Sequence, residues 1–209
     1  MKLFLSNINS LSWLSLLAIS FFILSFSTTT YAVDIRKTVN EETQLIGWKV
    51  SEKNFELELI QRTPQQTRSF FLARGFNKTI SNQIATHCVF QTIVRNTEND
   101  NSVDAIEVSL REWRIIPADG KNKAKPLKLK EVWNEEWNAE DVSTAARIAF
   151  RWATFPTEQT YQPGGDFNWG MISFGPKPNA RFDLHIFWKQ GDQAHDAWIK
   201  NMQCPADII

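Results

Sequence analysis

The stretch RFDLHIFWKQGDQAHDAWIKNMQ, residues 181–203, decides the fold. Phe182, Leu184, Ile186 and Trp188 alternate with Asp183, His185 and Phe187, the period of a strand with one buried face. Gly191 and Asp192 then form a two-residue turn signal, so Ala194 to Gln203 returns as the antiparallel partner. A turn of that length fixes the register. His195 faces Trp188, His185 faces Trp198, Asp183 faces Lys200 and Phe187 faces Asp196. Cross-strand partners share a face, which makes Leu184, Ile186, Trp188 and Ile199 the core side. The other side mixes charges with His185 and Trp198, and it is expected to lie under a helix.

Upstream, Pro163, Gly164 and Gly165 make a turn, Trp169 to Phe174 a strand, and Gly175 to Asn179 another turn. Phe55, Leu57 and Leu59 alternate with Glu56 and Glu58 in the first clear strand, and a shorter one is expected over Leu45–Val50. His87–Thr97 is β-branched and aromatic and closes as a strand at Asn96. Ile106, Val108 and Leu110 alternate before Trp113 and Ile115 slip phase, which predicts a β-bulge near Arg111. Strands 88–97 and 104–116 are expected to pair as a hairpin around the turn-forming run NTENDNS.

Helical signals interrupt the strands. Pro64 opens a stretch ended by Gly75, and Thr79 or Ser81 caps a second through Ala85. Leu129, Val132, Trp133 and Trp137 share a helical face opposed by Glu131, Glu135 and Glu140. Asp141 or Ser143 caps a last helix to Ala153, with Ala145, Ile148, Ala149 and Trp152 aligned. The fold expected is mainly β: an immunoglobulin-like antiparallel β-sandwich with inserted α-helices. The segment PGGDFNWGMISFGPKPNARFDLHIFW, residues 163–188, is similar to the closing hairpin of small extracytoplasmic immunoglobulin-like modules, a likeness of architecture only.

The start of the chain reads as an address. MKLFLSNINS carries Lys2, the apolar run Leu11–Phe26 follows, and small residues precede Ala32, so residues 1–32 are expected to be a signal peptide and 33–209 a single extracytoplasmic domain, periplasmic or secreted. The run is shorter than the ~20 residues that span a bilayer. Loss of Lys2 leaves 22 basic residues against 23 acidic, a balance that suggests neither nucleic acid nor an anionic membrane as partner. Cys88 and Cys204, outside the reducing cytosol, are expected to form a disulfide.

Chemistry-bearing motifs are sparse. No Gly-x-Ser-x-Gly elbow occurs, and Gly164 and Gly165 precede a strand rather than a helix, so neither an activated nucleophile nor a phosphate cradle is read. Glu135, Glu136 and Asp166 are carboxylates available for glycosidase work, but an amphipathic helix accounts for the first two. Lys121, Lys123, Lys125, Lys128 and Lys130 form a solvated basic run. A copper or zinc site could draw on His185 and His195 with Met171, Met202 or Asp196, although the hairpin register points the two histidines to opposite sides. No cofactor is expected. Elimination leaves a non-enzymatic binding or assembly-accessory module that recognises a protein partner, with metal binding or carbohydrate binding as alternatives. The surfaces expected to carry recognition are Trp133 and Trp137 on an inserted helix, and Phe167 and Trp169 beside a loop.

Overall fold

The computed structural model describes residues 32–118 and 123–208; the signal-peptide reading, apart from Ala32, and Lys121 lie outside them. In chain order the first elements are β1 (Asp34–Val39), β2 (Ile46–Glu52), β3 (Phe55–Gln61), α1 (Pro64–Leu72), α2 (Lys78–Ala85) and β4 (Val89–Asn96). Then come β5 (Ile106–Ser109), β6 (Arg114–Pro117), β7 (Lys125–Pro126), α3 (Lys130–Glu136) and α4 (Thr144–Ala153). The last are β8 (Glu158–Tyr161), β9 (Phe167–Ser173), β10 (Arg181–Gln190) and β11 (Gln193–Gln203). The protein is mainly β, and its strands pair antiparallel in two sheets.

The first sheet has the order β1-β2-β3-β4-β9. In the second, β10 is central: β11 lies along one side, while β5 and β6 lie end to end along the other, flanked by β8 and β7. The two sheets share one core. Trp48, Val50, Leu57, Leu59, Phe90 and Val94 meet Ile106, Val108, Ile115, Leu184, Ile186, Trp188 and Ile199, all buried. Burial of each large side chain contributes roughly 1.5–3 kcal/mol. Across the interface Phe55 stacks on Trp188 with centroids 4.2 Å apart.

The β10–β11 hairpin follows the register read from its turn, from Gln190 opposite Gln193 through Leu184 opposite Ile199. The register then shifts, so that Phe182 faces Met202. The extra residue is Asn201, at φ 53°, a left-handed conformation that asparagine tolerates better than most. Asp183 holds this bulge: its carboxylate accepts from the Asn201 N–H at 2.8 Å and from Lys200 Nζ at 2.8 Å. The bulge returns Met202 to the core, where it is fully buried.

Elsewhere the sequence reading needs correction. β4 does not form a hairpin with β5; it pairs with β3 and β9, and β5 belongs to the other sheet. At the end of β4 the buried Asn96 amide donates to the Tyr161 carbonyl at 3.1 Å and its oxygen accepts from Asn54 at 3.2 Å. The chain therefore leaves the first sheet at a satisfied polar junction. The phase slip at Arg111 is no bulge but a turn over Leu110–Trp113 that breaks one strand into β5 and β6, with Trp113 Nε1 donating to the Phe187 carbonyl at 3.0 Å. The 163–188 segment is not a hairpin either, because β9 lies in the first sheet and β10 in the second. Asn77, rather than Thr79 or Ser81, caps α2, accepting from the Ile80 N–H.

The helices form a second apolar cluster: Phe71, Phe76, Ile80, Ile84, Trp133, Trp137, Val142, Ala146, Phe150 and Ala153, with Val89 and Met171. Val89 and Met171 neighbour the inward Phe90 and Ile172, so alternation places them on the outer face of the first sheet. That face, at its β4–β9 end, is what the helices cover. The outer side of the β10–β11 hairpin is not helix-covered as expected; Trp198 there is 41% exposed.

Cys88 and Cys204 are joined in a disulfide. It links the residue before β4 to the residue after β11, and so ties one sheet to the other. Among the described residues no helix is long and apolar enough to cross a membrane.

Candidate interaction surface

Helix α4 begins at Ser143, whose hydroxyl accepts from the Ala146 N–H at 3.2 Å. From there it carries two apolar stripes. Ala146, Phe150 and Ala153, in line with the preceding Val142, are buried against the helical cluster. The stripe expected from sequence to face the core, Ala145, Ile148, Ala149 and Trp152, lies on another side, with Ile148 48% and Trp152 80% exposed. The sequence reading chose the wrong face because both have helical spacing; Phe150 decides, since its ring packs on Trp137 at 4.8 Å and Phe71 at 5.6 Å.

Strand β9 supplies the neighbouring half of the surface. Phe167 and Trp169 stand on the same outer face as Met171, two residues apart in turn. Each is 53% exposed. Opposite them on β4 are Arg95 and Ile93, and the Arg95 guanidinium lies 5.2 Å from the Phe167 ring centroid. The two halves join through backbone: Thr154 bridges Met171 in parallel, and the Phe155 N–H donates to the Met171 carbonyl at 3.0 Å. Trp152 and Trp169 each sit two residues before that bridge. Gly170 makes the approach possible, for a Cβ there would lie 2.4 Å from the Phe155 nitrogen.

Large apolar side chains held in contact with water on rigid elements are the anchors of protein interfaces. Of the four residues expected to form such a surface, Phe167 and Trp169 are in this position. Trp133 and Trp137 are not: they are 2% and 6% exposed. Their helix lies on the first sheet, and Trp137 packs on Phe76 and Phe150. Trp152 and Ile148 are the large exposed apolar side chains of α4, the helix whose end is bridged to β9 at Thr154. A helix apolar on more sides than one core can cover was the signal in the sequence that could have found them.

The remaining candidates lie elsewhere. His185 and His195 occupy opposite faces of the hairpin. On the outer face, His185 stacks on Trp198 at 4.4 Å and its Nε2 lies 2.7 Å from Asp196. On the inner face, His195 stacks on Trp188 at 5.5 Å with Nδ1 3.3 Å from Glu52. Among the described residues no group of three or more His, Cys, Asp or Glu is placed to hold a metal. Burial pushes the Asp183 carboxyl up, but Lys200 and the Asn201 N–H outweigh it and hold the group below the ordinary carboxylate value. Glu136 is paired with Lys128 at 2.5 Å. Asp166 accepts from the Gln162 N–H at 3.0 Å; burial first, and Asp166 second, raise the Tyr161 phenol above its usual range.

Comparison of the chain with protein-family models, with curated proteins and with solved structures finds no match.

Proposed function

We propose that this protein is an exported, non-enzymatic module that recognises a protein partner outside the cytoplasm through the surface formed by Ile148, Trp152, Phe167 and Trp169. The observation that carries this reading is the second apolar stripe of α4, left in solvent on a helix whose end is bridged at Thr154 to β9, the strand that carries two half-exposed aromatic rings. Partner binding would cover this stripe, and Arg95 beside Phe167 would sit at its polar rim. The Cys88–Cys204 bond supports an oxidising compartment. An immunoglobulin-like relationship enters the proposal at the level of layers: two antiparallel sheets joined by an inter-sheet disulfide, with β1 to β4 following one another rather than interleaving as in that fold.

The test pairs Trp152→Ala and Trp169→Ala in one variant. The double variant is expected to keep the wild-type unfolding midpoint and to lose retention of the partner from extracytoplasmic extracts. A variant that unfolds would make the rings structural, and one that retains its partner unchanged would move recognition elsewhere; either outcome defeats the proposal.

A further inference from the structure

The helical layer contains a cleft that the aromatic surface does not use. It runs between α2, which contributes Ile80, Gln83 and His87 just past its end, and α3, which contributes Trp133, Glu136 and Trp137 just past its end, and has a volume of about 300 Å³. That is the lower end of the range for small-molecule sites. One end is closed where the Asn77 side-chain amide donates to the Asp141 carbonyl at 3.1 Å. At the other, three groups of different hydrogen-bonding character surround Trp133.

The first group is His87, edge-on to Trp133 with centroids 4.8 Å apart. Its Nδ1 lies 2.5 Å from the Gln83 carbonyl oxygen. A carbonyl only accepts, so Nδ1 carries the proton, and in the neutral ring Nε2 is an acceptor. The second is Lys128, whose Nζ sits 3.9 Å from the Trp133 ring centroid. The third is Glu136, which accepts from that ammonium at 2.5 Å. Next to His87 the chain passes through Cys88 at φ 52°, a left-handed conformation that a non-glycine residue holds only when its surroundings fix it. The disulfide is part of that fixing. Trp133 and Trp137, both more than nine-tenths buried, each carry an indole Nε1–H without a hydrogen-bond partner among the described residues.

Lys128 is paired with Glu136, and the other charged group of the lining, the Asp141 carboxylate, accepts from the Asn138 side-chain amide at 3.3 Å, so the wall of the cleft offers an anion no unpaired cation. It offers an imidazole acceptor, ammonium donors, carboxylate and amide acceptors and an amide donor, all within one small volume against aromatic rings. Groups that both donate and accept, closely spaced on a neutral body, match that set. We infer that the α2–α3 cleft binds a small neutral polyhydroxylated molecule, of the size of one or two sugar units.

The experiment follows the indole N–H resonances of the purified protein while glucose, N-acetylglucosamine and maltose are added in turn, with sodium acetate and sodium phosphate as ionic probes. At least one sugar is expected to shift the Trp133 and Trp137 resonances saturably at millimolar concentration. Binding should weaken about tenfold in His87→Phe, which keeps a ring but removes the acceptor, and in Lys128→Gln, which serves if the first variant fails to fold. Trp169→Ala should leave it unchanged, which separates this site from the partner surface. Silence of both resonances with every sugar overturns the inference. So does an equal response to acetate or phosphate, or a sugar response confined to Trp152 and Trp169.

Discussion

Trp133 and Trp152 belong to neighbouring helices and have opposite environments, 2% against 80% exposed. Trp133→Ala empties part of the helical cluster and is expected to cost about 3–5 kcal/mol; Trp152→Ala removes almost no buried surface and should change stability by less than about 0.5 kcal/mol. Urea unfolding of the two variants checks both. His87 gives a pH dependence at the same scale. Desolvation lowers its pKa from the ordinary 6.5, with Lys128 and Lys177 acting in the same direction and the Gln83 carbonyl and Glu136 against it. The unfolded chain therefore binds the proton first as pH falls. Stability from this group is fully present above pH 6.5 and is lost as pH drops towards the folded-state value. Unfolding midpoints measured from pH 7.5 down to 5 should decline, and less steeply in His87→Gln; equal slopes would remove the residue from the account. Nothing in the sequence marked His87 as different from the other two histidines, because its distinction comes from Gln83 four residues earlier and from Lys128 and Trp133 far along the chain.

At the scale of elements, legibility followed one-sided burial. β10 and β11 each have one buried and one open side, so alternation and turn length together gave their register from Gln190–Gln193 to Leu184–Ile199; the bulge at Asn201, which displaces the expected Asp183–Lys200 pair, left no mark in the alternation. β1 is exposed along its whole length and carries no alternation, so nothing in its pattern marked it as a strand. The sheet to which a strand belonged was not legible either: β4 and β5 both look like hairpin partners, and what separates them is the polar junction at Asn96, made with residues distant in sequence. α4 was found, but its two apolar stripes are equivalent until Phe150 meets Trp137. The meeting of α4 with β9 depends on Gly170. Gly170→Ala would place a methyl group on the Phe155 backbone, which cannot retreat without breaking its bond to the Met171 carbonyl. A loss of about 1–3 kcal/mol is expected, read as a lower urea midpoint together with enhanced hydrogen exchange at Phe155; an unchanged midpoint would mean that the 154–155 segment is not seated on the strand.

For the whole molecule, two sheets share one core, a helical layer closes one outer face, and a disulfide spans the sheets. The bond closes a loop of 116 residues, which the chain-entropy account values at roughly 4–5 kcal/mol. Cys88→Ala/Cys204→Ala should lose about 2–5 kcal/mol in urea unfolding, and reductant should destabilise the wild type but not the variant. The central claim remains that Ile148, Trp152, Phe167 and Trp169 form a recognition face. A photo-crosslinking amino acid at position 148 or 167, compared with one at the exposed Lys189 on the second sheet, tests it in the native compartment. The account predicts the same discrete protein adduct from positions 148 and 167 and none from 189; no adduct at the first two, or the same adduct from all three, would contradict it.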